Sequence, residues 1–113
     1  MPKKILIVDD DRVLAELLGT FLQTFGYPPV CYAGDGLEGL FCLEQDISIS
    51  LIFTDKEMPN MEGPEFIKQC RSTYPGKKII YMSGTLSTDD DLIAAAKEVG
   101  ADAAIPKPFL PHK

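Results

Sequence analysis

Four short apolar runs of the sequence each end in polar residues that could carry chemistry. In chain order these residues are the acids Asp9, Asp10 and Asp11, the acid Asp55, the hydroxyl residue Ser83 and the amine Lys107. Clustered carboxylates repel one another, and a hard divalent cation such as Mg²⁺ prefers their oxygens as ligands. An ammonium and a hydroxyl can bind phosphate oxygens, and an aspartate can itself attack phosphorus. Together these residue types indicate a magnesium-dependent phosphoryl-transfer site.

Each of these residues also has an ordinary structural interpretation. The run Asp9–Asp11 suits a helix N-cap with acids near the positive end of the helix dipole. Taken alone, Asp55 suits a loop, Ser83 suits a turn and Lys107 suits a solvated surface. The functional interpretation therefore depends on their joint arrival at the same end of four predicted strands.

The strands that would position these residues are predicted from short, mostly apolar runs. They cover residues 5–8, 29–33, 49–53, 78–82 and 103–105. Helical spacing of apolar residues predicts four helices between them. These begin near residues 13, 37, 63 and 87, and they end before Gly26, near 44, near Tyr74 and before Gly100. The apolar face of the second helix is predicted at Leu37, Leu40 and Phe41.

The predicted order is β-α-β-α-β-α-β-α-β, which favours parallel strands joined by right-handed crossovers. The fold class is therefore α/β, an open, doubly wound, flavodoxin-like sheet of five parallel strands in the order 2-1-3-4-5. Strands one and three are neighbours in this order, which brings Asp10 and Asp55 close together. Ligands of such sheets bind at the carboxyl ends of the strands.

The end of the sequence predicts that most or all of a fifth helix is missing. Residues 106–113 contain three prolines, which do not fit a helix interior. We therefore expect residues 1–113 to form a single, C-terminally shortened domain, and we favour a piece cut from a longer protein. Apolar surface left without its cover is expected to favour self-association as a homodimer.

The composition argues against several classes of function. Eleven basic and 17 acidic residues among 113 give a net charge of −6, which repels phosphate backbones and argues against direct nucleic-acid binding. No apolar run approaches the roughly 18 residues of a membrane helix. The three cysteines, Cys31, Cys42 and Cys70, have no metal-site spacing and are expected to be reduced thiols. These features predict a cytoplasmic protein.

Several segments together resemble CheY-like response-regulator receiver domains. They are Ile5–Asp11, Asp55–Gly63 with its acid followed by Met-Pro and Gly, Met82–Gly84, and Gly100–Ala101 with Pro106–Phe109. The resemblance covers the whole chain, and this combination of motifs at these spacings is highly specific. It implies a phosphoacceptor of two-component or phosphorelay signalling, a signalling domain that catalyses only its own phosphorylation and dephosphorylation.

The resemblance also implies a role for each acid. Asp55 would be the phosphoacceptor. Asp10, Asp55 and the backbone carbonyl of Glu57 would bind Mg²⁺, and Asp9 would assist through a metal-bound water.

The hydroxyl and the amine have implied roles at the phosphoryl group itself. Ser83 would bond a phosphoryl oxygen. Lys107 would pair with the phosphate, and its bond to Pro108 is expected to be cis, which suits a sharp turn. The phosphoryl donor would be a phosphohistidine on a sensor histidine kinase or histidine phosphotransfer protein.

The chain departs from the family pattern at Ala104, where members usually carry Tyr or Phe three residues before the lysine of strand five. We expect phosphorylation to be retained and the usual aromatic readout to be absent or altered. Glu57 and Thr85 occupy positions that tune hydrolysis of the acyl phosphate in this family.

Three alternatives compete with this interpretation. Residues 7–14 also resemble the first motif of haloacid-dehalogenase-like phosphatases, with Asp9 as nucleophile and Asp11 as general acid. That fold usually needs a longer chain with a cap, and it leaves residues 55–59 unexplained. A flavodoxin-like FMN binder needs a Ser-, Thr- and Gly-rich phosphate loop where this chain has aspartates. A degenerate receiver that serves only as a protein-binding module would not need the intact acids, hydroxyl and amine, whereas Ala104 and the short C-terminal end favour it.

Overall fold

Five strands and four helices alternate along residues 3–84 and 88–107, the parts of the chain that the computed structural model describes. The strands are β1 Lys4–Val8, β2 Val30–Ala33, β3 Ile49–Asp55, β4 Lys78–Ser83 and β5 Ala103–Pro106. The helices are α1 Arg12–Thr24, α2 Gly36–Gln45, α3 Gly63–Thr73 and α4 Asp89–Val99. All strand pairs are parallel, and the sheet order is β2-β1-β3-β4-β5. This arrangement confirms the predicted fold class.

The four helices in the described ranges agree with the prediction that a fifth helix is lacking. The proline-containing tail from residue 108 onward lies outside those ranges. Self-association therefore stays a prediction.

The core lies in two layers, one on each face of the sheet. In β1, the side chains of Leu6 and Val8 join the cluster that includes Phe66 of α3. Ile5 and Ile7 join the cluster on the opposite face, under α1. Because side chains alternate along a strand and both faces are covered, the strand is an unbroken apolar run.

Short polar side chains define where three of the helices begin. The carboxylate of Asp11 accepts a hydrogen bond from the backbone N–H of Leu14 at 3.1 Å and caps α1. Asp35 caps α2 and Thr88 caps α4 in the same way. The capping interpretation of the acidic run is therefore right for Asp11, which leaves Asp9 and Asp10 available for other contacts.

The apolar face predicted for α2 is right at Leu40, which is half-buried against the core, and wrong at the other two positions. Leu37 and Phe41 are 53% and 61% exposed. The helix instead packs through residues that are small or fully buried, namely Gly36, Gly39 and Leu43. A Cβ at Gly39 would lie 2.9 Å from the Phe66 ring, so the missing side chain allows the helix backbone to approach the core closely. Apolar periodicity detects side chains and therefore cannot detect a face made by glycines.

The three cysteines are free, in agreement with the prediction. Burial raises the pKa of Cys70 to about 12, and burial also raises the pKa values of Cys31 and Cys42 above their usual range. Because the thiolate is the reactive form, these thiols are poor nucleophiles at neutral pH.

The close packing of α2 against the core can be tested with Gly39→Ala. We expect this variant to lower the free energy of unfolding by about 1–3 kcal/mol, because the new methyl group overpacks the fully buried Phe66. The loss is expected even though alanine favours a helix by about 1 kcal/mol over glycine. Urea denaturation followed by circular dichroism measures the change.

The matched control is Gly76→Ala, because a Cβ there meets no atom within 4 Å. We expect its effect to stay within about 0.5 kcal/mol. Equal stability of the two variants would contradict the packing described for α2.

Candidate functional site

The polar residues singled out in the sequence meet at the carboxyl-terminal edge of the sheet. Asp9 follows β1, Asp55 ends β3, Ser83 ends β4 and Lys107 follows β5. The strand register pairs Asp55 with Met82 and Ser83 with Pro106, so the neighbouring strands end at the same level. Four segments that are distant in sequence thus place acids, a hydroxyl and an amine on one rim.

Three acids form a cluster at this rim. Asp9, Asp10 and Asp55 each offer one carboxylate oxygen, and these three oxygens lie within 4.8 Å of one another. Asp9 and Asp55 are buried, at 3% and 7% exposure, whereas Asp10 is exposed. A set of hard oxygen donors, closed on the inside and open to solvent at Asp10, could hold a divalent cation such as Mg²⁺.

The ammonium of Lys107 bridges the two buried acids. Its Nζ lies 2.8 Å from Oδ2 of Asp9 and 3.0 Å from Oδ2 of Asp55, and its side chain is only 15% exposed. Burial disfavours the charge on this amine, but the contacts with both carboxylates outweigh burial and raise the pKa of Lys107 above its usual value. The lysine therefore carries its positive charge between the acids at neutral pH.

At Asp9, burial outweighs the favourable contacts, so here the charged form is disfavoured. Burial raises the pKa of Asp9, and it outweighs the hydrogen bonds that Lys107 and the backbone N–H of Asp11 donate to this carboxylate. The nearby charge of Asp55 raises that pKa further. The ionised form of Asp9 is therefore costly in the folded protein, as expected of a buried acid beside another acid.

The backbone around Asp55 is held by tight contacts. Oδ1 of Asp55 accepts a hydrogen bond from the backbone N–H of Lys56 at 2.8 Å. The N–H of Gly63 donates to the carbonyl of Lys56 at 2.8 Å, and a Cβ at Gly63 would lie 2.1 Å from the carbonyl oxygen of Asp55. Only glycine lets α3 begin this close to the end of β3, a role that the sequence does not reveal, because there Gly63 is visible only as a helix start and a motif position.

The loop after Asp55 is anchored on both sides. The side chain of Met58 is buried in the core cluster. Asn60 has a left-handed φ of 67° and donates a hydrogen bond from its amide to Oδ2 of Asp35 at 2.6 Å. Glu57 lies in this loop with its side chain exposed. These anchors give a physical reason for Met58 and Asn60, which the sequence alone shows only as parts of a motif.

Ser83 is buried at the end of β4. Thr85, to which the resemblance assigns an effect on hydrolysis, lies outside the described residues, and so does Pro108 with the predicted cis bond. Ala104 pairs with Tyr81 across β4 and β5, and it packs against the core cluster that contains Tyr81. The altered aromatic readout stays a prediction.

In the two described stretches of the chain, no helix has the length and apolar character needed to cross a membrane.

Known proteins share both the sequence pattern and the fold. Residues 5–113 match the family described as response regulator receiver domain. A probable chemotaxis protein CheY from Rhizobium etli is 32% identical over 110 residues, which cover 97% of this chain and 84% of that protein. The response regulator MprA from Mycolicibacterium vanbaalenii is 37% identical over 109 residues, which cover 96% of this chain. They cover 46% of MprA, so this chain spans less than half the length of that relative.

A solved structure gives the same result. The crystal structure of a CheY-like response regulator receiver domain protein from Methanospirillum hungatei superposes with a TM-score of 0.81 at 34% identity. The match covers 98% of this chain and 86% of that chain.

The charge balance of the site can be tested with Lys107→Met. We expect the variant to lose about 2–4 kcal/mol of unfolding free energy at neutral pH, because two buried acids lose their shared cation. The loss should grow as pH rises from the ordinary aspartate pKa of about 4 toward neutral pH. Without the amine, the pKa of Asp9 in the folded protein rises further. The folded protein then holds this proton more tightly than the unfolded chain does, so stability is lost as pH rises toward that pKa. Urea denaturation across this pH range measures both effects.

The control for Lys107→Met is Lys56→Met. The Lys56 side chain is half-buried and makes no ion pair within residues 3–84 and 88–107. We expect its effect to stay within about 0.5 kcal/mol at every pH. A Lys107→Met deficit that shrinks as pH rises would contradict the charge balance described above.

Proposed function

The chain belongs to the response regulator receiver domain family, and from this premise we propose that it accepts a phosphoryl group on Asp55. Domains of this family are signalling domains of two-component systems. The observation that carries the proposal is the position of the Lys107 ammonium, 3.0 Å from the Asp55 carboxylate within the cluster of three acids. This arrangement places a fixed positive charge beside the oxygen that would attack phosphorus.

The donor that we propose is a phosphohistidine on a sensor histidine kinase or histidine phosphotransfer protein. A carboxylate oxygen of Asp55 attacks phosphorus, the P–N bond to the histidine breaks, and the electron pair stays on the imidazole nitrogen. The product is an acyl phosphate on Asp55 and a free histidine on the donor. Positioning and charge stabilisation supply the catalysis, as is usual for phosphoryl transfer.

The residues around Asp55 would act on the transferring group. Lys107 already contacts the Asp55 carboxylate, so its amine lies within reach of phosphoryl oxygens bonded to that carboxylate. Ser83, at the end of the neighbouring strand, would donate its hydroxyl to another phosphoryl oxygen. When bound, Mg²⁺ would neutralise charge on these oxygens. Asp10, Asp55 and the backbone carbonyl of Glu57 would hold it, and Asp9 would assist through a water.

The contacts of Asp9 and Asp11 argue against the phosphatase alternative. Both oxygens of Asp9 are engaged, one by Lys107 and the other by the backbone N–H of Asp11. The side chain of Asp11 caps α1 and so has a structural task in place of the general-acid role. Asp55 is engaged on both oxygens in the same way, so the difference lies at Asp11, whose capping role removes the general acid that this alternative requires.

The charge of the chain supports a protein partner over nucleic acid. A net charge of −6 opposes contact with phosphate backbones. The proposed setting is cytoplasmic, where kinases and phosphotransfer proteins present phosphohistidine to receivers.

The phosphoacceptor can be identified by intact-mass spectrometry after incubation with Mg²⁺ and acetyl phosphate. We expect a single added phosphoryl group on the native protein, which requires Mg²⁺ and is absent in Asp55→Asn. The reason is that Asn lacks the carboxylate that forms the acyl phosphate.

Asp9→Asn is the informative comparison for this experiment. Under the proposal this variant still accepts the label on Asp55. A label that survives Asp55→Asn and disappears in Asp9→Asn would overturn the proposal in favour of the phosphatase mechanism. Absence of the label in every protein, the native one included, would contradict a phosphoacceptor role.

The metal site can be tested separately by titrating Mg²⁺ into the protein and following amide chemical shifts. Asp10→Asn should weaken Mg²⁺ binding by roughly tenfold or more, because it removes a negative oxygen ligand. Asp11→Asn is the matched control, since it removes the same charge one residue further along and asparagine can still cap the helix. Equal weakening by both variants would indicate a general field effect and would contradict a direct role of Asp10.

A further inference from the structure

A groove of about 600 Å³ runs between α3 and α4 and opens beside Ser83. Its apolar lining comes from Pro64 of α3, from Ala95 and Val99 of α4, and from the buried Tyr81 of β4. Pro64, Lys68 and Arg71 recur at helical spacing along the α3 wall, which makes that wall about 10 Å long at 1.5 Å per residue. A volume of this size is typical of ligand sites.

The charge of the groove is opposite to the charge of the chain. Among the described residues, its lining holds Lys56, Lys68, Arg71 and Lys97 against one acid, Glu98. The whole chain, by contrast, has a net charge of −6. The groove is therefore a basic surface on an acidic protein, and it selects for a partner with negative charge.

One of the four cations is already engaged. Arg71 donates to the carbonyl of Gly100 at 2.7 Å, to the carbonyl of Lys77 at 2.8 Å and to Oδ2 of Asp102 at 2.8 Å. The three lysines make no ion pair within residues 3–84 and 88–107. Lys56 lies in the loop after β3, Lys68 on the α3 wall and Lys97 on the α4 wall, so their charges are spread along the groove.

We propose that this groove binds an acidic amphipathic helix of a partner protein. The apolar side chains of such a helix would cover Pro64, Ala95 and Val99, and its carboxylates would face Lys68 on one wall and Lys97 on the other. Separate lysines along two walls match separate carboxylates on an elongated ligand. This inference goes beyond phosphorylation of Asp55 and does not require it.

Two other anionic ligands fit the groove less well. A compact anion needs converging donors, but protein acceptors already take three of the five N–H donors of Arg71. A nucleic-acid strand would extend past the groove toward the exposed Asp89–Asp91 at the start of α4 and toward the acid cluster. Its regularly spaced phosphates would be repelled at both places.

The experiment uses a fluorescein-labelled synthetic helix of about 15 residues, long enough to form a helix on binding, with leucine on one face and glutamate on the other. Fluorescence anisotropy measures its affinity for the native protein without a phosphodonor. The same peptide with glutamine in place of every glutamate is the matched probe. We expect the glutamate peptide to bind roughly tenfold or more tightly than the glutamine peptide at low salt.

Charge-reversal variants locate the site. Lys68→Glu with Lys97→Glu should weaken binding by roughly tenfold or more, because two attractive contacts become repulsive. Lys3→Glu with Lys78→Glu changes the net charge equally at exposed positions outside the groove lining, and it should weaken binding by less than about threefold. Equal losses in the two double variants would overturn the proposal, since attraction would then follow net charge alone.

A third variant tests the α4 wall of the groove without changing charge. Ala95→Trp fills the space between the helices at a half-buried position and should abolish binding of the peptide. Unchanged binding by this variant, with a native circular dichroism spectrum, would overturn the proposal. Tighter binding of a single-stranded oligonucleotide than of the glutamate peptide at the same salt would overturn it in favour of nucleic acid.

Discussion

Electrostatic repulsion between buried carboxylates is the constraint around which this molecule is organised. Asp9 and Asp55 are removed from water at the end of adjacent strands, and Asp10 adds a third acid at the mouth of the cluster. One amine, that of Lys107, contacts both buried acids. One amine among three acids leaves the rim short of positive charge, so the cluster suits a further cation, in line with the proposed Mg²⁺-dependent phosphorylation.

The sheet is what makes this arrangement possible. The parallel order β2-β1-β3-β4-β5 brings the ends of β1, β3, β4 and β5 to one edge. Contacts below and beside the rim then fix the loop that follows Asp55. Met58 anchors it in the core, Asn60 fastens it to the cap of α2, and Gly63 lets α3 start directly against the Asp55 carbonyl. The site is thus precise because three neighbouring elements hold one short loop.

The sequence predicted the strand order and the convergence of the site residues, because unbroken apolar runs and βα alternation are local signals with a strong topological consequence. It also predicted that Asp11 could cap α1. It misjudged the face of α2, because Gly36 and Gly39 make that face by having no side chain. It missed the task of Gly63 and the ion pair of Arg71 with Asp102 for a related reason. Contacts between distant segments become visible only when the packing of α3 against its neighbours is known.

The position of Lys107 on the edge strand has a consequence for how the chain folds. During synthesis, the sequences of β1, α1 and β3 leave the ribosome before that of β5, so the acids of the rim are made before their cation. A partly folded chain without β5 would hold Asp9 and Asp55 against each other with no amine between them. Pairing of β5 therefore completes the hydrogen bonding of β4 and also brings the amine between the acids, which links the edge of the sheet to the charge balance of the site.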